Sequence, residues 1–123
     1  MLHLVAALSL GLVLAIPQLG LDSGAWRASY VHLLVLGWAT QMIFGVAYWM
    51  FPRTEPLDPR AVPWLGWVCF GCLNLGVLVR TLAEPALGGG SVVAIAGAVA
   101  SAALQLIAVV AFVLIAWSRV RAR

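Results

Sequence analysis

Four apolar stretches of roughly twenty residues, each cut off by a connection too short to fold by itself, leave this chain few ways to fold. They run from about Leu2 to Leu21, Ser29 to Phe51, Val62 to Leu82 and Ser91 to Trp117. Crossing the hydrocarbon core of a bilayer takes roughly 20 apolar residues in a helix, so each stretch reads as a membrane span. The soluble alternative fails on charge. Only 9% of the residues are charged and 64% are hydrophobic, whereas a soluble domain carries roughly 25% charged residues to cover its surface. The expected fold is all-α: one transmembrane domain over residues 1–123, an antiparallel four-helix bundle in up-down-up-down order.

The breaks carry their own chemistry. Leu21 to Ala25 offers a short turn with a helix N-cap, Pro52 to Arg60 holds three prolines and four charges, and Glu84 to Gly90 ends in three glycines. Connections this short make successive helices antiparallel neighbours. Pro17 falls late in the first stretch and Pro63 in the first turn of the third, where a missing N–H costs little. The apolar run from Leu4 to Ile16 has no basic residue before it and no small-x-small site after it. It therefore reads as a membrane helix and not as a cleaved leader.

All seven basic residues are arginines, which also sets the orientation. Arg53, Arg60, Arg119, Arg121 and Arg123 fall on one side and Arg27 and Arg80 on the other. The richer side belongs in the cytoplasm, so both termini are expected inside, in a bacterial or archaeal inner membrane. The arginines are dispersed among connections and the C-terminus, which excludes a nucleic-acid footprint. Trp26, Trp49, Trp64 and Trp117 lie near span ends, as an interfacial aromatic belt requires. Ala94, Ala98 and Ala102 share a helix face and permit close helix approach, within the bundle or between copies.

Polar groups inside lipid are costly, so the few that occur are the functional candidates. His32 lies about one turn below the outer surface. Arg80, Arg27, Tyr30, Gln18, Asn74 and Glu84 share that outer half. Neutral imidazole is a good iron ligand, and a lone histidine near a helix end also serves as an interhelical hydrogen-bonding group. Arg80 suits a carboxylate such as a haem propionate or a quinone-like headgroup, and one turn on it meets Glu84. His3 is expected at the opposite face, about a bilayer's thickness from His32, too far to share a metal. Gln41 and Gln105 read as mid-membrane glue, bonded to each other or to backbone. Cys69 and Cys72 have C-x-x-C spacing but lie within an apolar helix and have no second pair, so they read as packing. No hydrolytic constellation and no phosphate-binding glycine loop is present, and no catalytic residue is assigned.

The stretch from His32 through Gly37-Trp38, Ile43-Phe44-Gly45 and Phe51-Pro52-Arg53 resembles the second helix of small four-helix membrane proteins related to haem–copper oxidase subunit I. Leu73-Asn74-Leu75-Gly76-Val77-Leu78-Val79-Arg80 is similar to their third helix. Together the two cover about half the chain. In oxidase subunit I a histidine near the outer end of the second helix is an axial ligand of low-spin haem. The resemblance implies that role for His32 alone. Where many small relatives read His-x-His, this chain reads Tyr30-Val31-His32, and the copper ligands and later helices of the oxidase have no counterpart.

The expectation is therefore a membrane module binding haem b near the extracytoplasmic side. His32 ligates the metal, Arg80 and Arg27 neutralise propionates, Tyr30 and Asn74 stand nearby, and oligomerisation completes the site. A second axial ligand would come from His32 of another copy or from a histidine of a respiratory-complex subunit; otherwise the iron is five-coordinate or takes a ligand of another type. The chain is not expected to be a complete oxidase. The rival readings are a cofactor-free accessory subunit of a respiratory complex, and a carrier or sensor of copper or a small ligand. The copper reading is poorly supplied with two histidines and three methionines.

Overall fold

The computed structural model describes residues 2–16, 23–50 and 61–120. Among them the chain is helical apart from short turns and contains no strand. Helix α1 spans Leu2–Leu14. Helix α2 is one continuous helical rod: α-helical over Ser23–His32, π-helical over Leu33–Ala39, and α-helical again over Thr40–Met50. Helix α3 spans Ala61–Leu87 and α4 spans Val92–Val120. The residues after Ile16 in the expected first span, Gln18, the Pro52 to Arg60 connection, Arg121 and Arg123 lie outside the described residues.

Three helices are long and apolar enough to cross a membrane: Trp26–Met50, Pro63–Leu87 and Val92–Arg119. The expected first span is shorter than the others. Its 13 residues rise about 20 Å, against a hydrocarbon thickness of about 30 Å. The other boundaries shift outward, with α2 beginning at Ser23, α3 running on to Leu87 and α4 to Val120. Hydropathy marks where lipid ends, and a helix continues past that point wherever its backbone bonds can still close. Three glycines then break the chain between α3 and α4. Gly90 adopts a left-handed φ of 66° and its N–H donates to the Leu87 carbonyl at 3.0 Å, a helix end that glycine closes without strain.

The bundle is held by close backbone approach more than by large side chains. The α3–α4 seam buries Cys69, Leu73, Ala108 and Ala111, with Phe44 of α2 stacked flat on Phe112 at a centroid distance of 4.0 Å. Small residues set the spacing. A Cβ added at Gly76 would lie 3.2 Å from the Ser101 carbonyl oxygen and 3.3 Å from Leu104 Cβ, and one at Gly97 would lie 3.3 Å from Ala83 Cβ. Of the alanine stripe, Ala94 is buried, Ala98 is half-buried and Ala102 is exposed. The buried line on α4 passes instead through Ala94, Ser101, Ala108, Ala111 and Ile115. Val99, Leu106, Val110 and Val113 face outward, as lipid contact demands.

Helix α1 packs on α2 through Ala7 and Leu33, joined in the same cluster by Val77 of α3, with Tyr30 lying across Gly11. His3 sits on Gly37: a Cβ there would come within 2.9 Å of His3 Cβ and Cδ2. Gly37 is five residues beyond His32, about 7 Å along the helix. The expected separation of the two histidines by a bilayer's thickness is therefore wrong. It assumed that α1 starts level with the far end of α2, whereas α1 starts beside its middle.

Gly76→Leu should lower the thermal midpoint of the detergent-solubilised protein by an amount corresponding to about 1–3 kcal/mol, because its side chain would drive into the α4 backbone. Gly71→Ala, where nothing lies within 4 Å of the added Cβ, should leave the midpoint unchanged or raise it. Equal losses in the two variants would refute the close-packed seam.

Candidate functional site

Glu84 organises the end of the bundle where α2 begins and α3 ends. Its side chain is 4% exposed, and an ionised carboxylate removed from water must be met by cations or donors. Two meet it through the same oxygen. Arg80 Nε donates to Oε1 at 2.9 Å from one turn earlier on α3, and His32 Nδ1 lies 2.9 Å from that oxygen across the α2–α3 interface. Side chains on a helix tilt toward its N-terminus, so Glu84 reaches back over the preceding turn and arrives level with Arg80 and His32. Arg80 Nη1 also approaches the Ala98 carbonyl of α4 at 3.5 Å. Oε2 of Glu84 is buried and has no hydrogen-bond partner among the described residues.

The sequence places Glu84 at the head of a connection because Pro85 follows it. The helix nevertheless continues to Leu87, with Pro85 inside it. A proline there removes the N–H that would bond the carbonyl four residues back, and that carbonyl is Thr81's. Ser29 supplies the missing donor. Its hydroxyl, fully buried, donates to the Thr81 carbonyl at 3.2 Å. A serine on a neighbouring helix thus closes a gap in the α3 ladder, and this lets the helix carry Glu84 into the bundle. The signal in the sequence is the pairing of Pro85 with a small hydroxyl residue, Ser29, on the opposite helix end.

The imidazole of His32 is oriented by its surroundings. Nδ1 lies 2.9 Å from the Ala28 carbonyl as well as 2.9 Å from Glu84. Both neighbours are acceptors, so Nδ1 carries the proton. In the neutral ring Nε2 then bears the free lone pair. Among the described residues Nε2 has no hydrogen-bond partner and is not one of the buried polar atoms, so it opens at the surface of the bundle. A histidine held through Nδ1–H to a carboxylate or carbonyl and free at Nε2 has the arrangement found in metal-bound histidines.

The remaining candidates fall in different places. Arg27 is exposed and has no ion-pair partner among the described residues. Tyr30 is half-buried against Gly11 of α1. Asn74 Nδ2 donates to the Phe70 carbonyl of its own helix at 2.7 Å and does not join the Glu84 cluster. Arg80 is engaged inside the bundle. Gln105 Nε2 lies 3.5 Å from Ser101 Oγ, while the buried nitrogens of Gln41, Trp38 and His3 have no partner among the described residues. Cys69 and Cys72 are free thiols, Cys69 within the seam. Arg119 holds the other end of the bundle, donating to the Tyr48 carbonyl at 2.6 Å with its guanidinium 4.0 Å over the Tyr48 ring.

A cleft of about 590 Å³ opens toward that other end, between Gln41, Phe44, Gly45 and Tyr48 of α2 and Pro63, Gly66, Trp67 and Phe70 of α3, with Phe112 and Ile115 of α4. Its nearest α2 residue, Gln41, is about 14 Å along the helix from His32. The cleft and the free imidazole nitrogen are thus separate features. No protein-family model matches this chain, and no curated protein or solved structure matches it.

Ser29→Ala should cost about 1–3 kcal/mol by leaving the buried Thr81 carbonyl unbonded, read as a lower thermal midpoint in detergent. In a Pro85→Ala background, where residue 85 regains its N–H, the same change should cost much less. An unchanged cost in the double variant would show that Ser29 does not compensate for the proline.

Proposed function

We propose that this protein is an integral membrane haem-binding module for electron transfer, similar to the small relatives of oxidase subunit I, with His32 Nε2 as the protein's ligand to iron. The observation that carries the reading is the fixed ring of His32, whose Nδ1 is held between Glu84 and the Ala28 carbonyl while Nε2 is free at the surface. A carboxylate partner on Nδ1–H raises the basicity of the ligating nitrogen and fixes ring and tautomer. Haem b is the cofactor this donor set suits, because it needs no covalent attachment and accepts an imidazole. Bound there, it would supply one-electron transfer between ferric and ferrous iron.

The chain's own residues divide the remaining work. Glu84 and Arg80 position His32, and Arg80, held by Glu84 and Ala98, acts through that carboxylate. Arg27, exposed and one to two turns outward from His32, is the cation available to a propionate. Tyr30 and Asn74 support the α1–α2 contact and the α3 backbone. No residue in this set activates oxygen, so the module passes electrons and does not complete an oxidase.

In this reading the protein lies in a bacterial or archaeal inner membrane. The arginine-rich end of α4 faces the cytoplasm and His32 lies toward the outside. The pairs Ser29–Thr81 and Phe44–Cys69 support opposed directions for α2 and α3, and Gly76–Leu104 and Ala83–Gly97 do the same for α3 and α4. Helix α1 lies along the outer half of α2, with His3 beside Gly37 and Gly11 beside Tyr30.

Protein extracted in mild detergent and supplied with haem should show a Soret band that sharpens and shifts on reduction. His32→Ala should abolish it, and Glu84→Gln should weaken haem retention by roughly tenfold. A colourless protein that takes up no added haem would refute the proposal. It would leave the cofactor-free accessory subunit, for which the internal pairing of Glu84 and Arg80 speaks.

A further inference from the structure

The ligand set that one chain brings to His32 is incomplete, and we propose that a second copy completes it: two chains meet along the outer part of α2 about a two-fold axis, and each contributes His32 Nε2 to the same haem iron. This rests on the haem-binding reading above.

No second ligand is available within the chain at that level among the described residues. His3, the other histidine, is buried against Gly37. Met42 lies ten residues further along α2, about 15 Å away, and Met50 further still. Cys69 belongs to the seam at the other half of the bundle. The cleft, which has the volume for a cofactor, does not include His32.

The surface around Nε2 has the form of half a site. Ala28, Val31 and Val35 are exposed beside His32, the two valines by 47% and 49%. Positions 28, 32 and 35 form one stripe on α2, with 31 at its border. Arg27 stands exposed at the outer end of the strip. An apolar strip with a cation at one end complements a flat apolar macrocycle with carboxylates along one edge. One chain covers only one face of such a disc. A two-fold axis presents the identical strip and a second imidazole to the other face, and the small side chain of Ala28 leaves room for the disc to lie against each helix. Each ring would bind through the Nε2 lone pair while its Nδ1–H stays hydrogen-bonded to Glu84 and the Ala28 carbonyl, and each chain would offer one Arg27 to the propionates.

The full chain, titrated with haem b in detergent, is assayed for haem per chain and for mass by native mass spectrometry, with electron paramagnetic resonance on the oxidised form. The expected result is one haem per two chains, a dimer whose mass includes one haem, and a low-spin bis-imidazole signal. Ala28→Phe, which adds bulk on the exposed strip, should lower dimer-bound haem by about tenfold or more while the helical content stays unchanged. Arg27→Gln should weaken haem retention without changing the spin state. One haem per chain, or a high-spin five-coordinate spectrum in the wild type, would overturn the shared site while leaving His32 as a ligand. Absence of any haem uptake would overturn both.

Discussion

A carboxylate buried at the end of three packed helices decides how the rest of this bundle is arranged. Removing Glu84 from water costs several kcal/mol unless its charge is answered locally. The answer comes from two helices at once, Arg80 one turn below it on α3 and His32 on α2, both on Oε1 at 2.9 Å. Arg80 extends the contact toward α4 through the Ala98 carbonyl. The Glu84 carboxylate and the Arg80 guanidinium on it thus tie groups of three helices together, which limits how far α3 can slide or rotate against α2 and α4. The opposite end is held differently, by the guanidinium of Arg119 over Tyr48 and by the flat stack of Phe44 on Phe112. Between these ends the helices approach through glycine, alanine and serine, where van der Waals contact replaces the hydrophobic drive that lipid does not provide.

That carboxylate can be where it is because of Ser29. Pro85 would ordinarily stop a helix or leave a carbonyl bare in an apolar setting, and either outcome would return Glu84 to a connection. The hydroxyl of Ser29 meets the Thr81 carbonyl, the helix runs on, and the acid is drawn inward. The four helices, the three long apolar spans among them and the pairing of Arg80 with Glu84 were legible in the sequence, because each follows from local composition and from four-residue spacing; the expected first span was not, since its helix ends at Leu14. The inward position of Glu84 was not. It depends on a hydroxyl 52 residues away, and a proline read alone points to the opposite outcome. The outward extension of α2 to Ser23 and of α4 to Val120 was missed for a related reason: polar residues outside the hydrocarbon are neutral as to whether the helix continues.

The level of α1 was also hidden. Nothing in an apolar run of residues states where along its neighbour it docks. Here the docking is set by Gly37, whose missing side chain leaves room for His3. Gly37 belongs to the π-helical turn Leu33–Ala39, where the Thr40 N–H and hydroxyl both bond the Val35 carbonyl five residues back. Such a turn has no residue signature of its own, and it places Gly37 about one turn from His32 on α2. Because α1 starts beside the middle of α2, the Thr40–Met50 part has no fourth helix beside it among the described residues. That is the half in which the cleft between α2 and α3 opens and in which Ile43, Trp49 and Met50 are exposed.

The stabilising role of His32 and its proposed chemical role do not compete, because they use opposite nitrogens of one ring. The bundle uses Nδ1, which must carry a proton to satisfy Glu84 and the Ala28 carbonyl together. That same requirement removes the proton from Nε2 in the neutral ring and turns its lone pair outward. A histidine serving the fold alone could accept either tautomer and either ring orientation. Here two acceptors on one side leave a single arrangement, and Glu84, Arg80 and Ser29 each contribute to holding it. The same polar contacts that let α3 pass Pro85 also prepare a donor atom at the surface of α2. A substitution that loosens them should therefore disturb the fold and the proposed iron ligand together, whereas one on the exposed strip of Ala28, Val31 and Val35 should spare the fold.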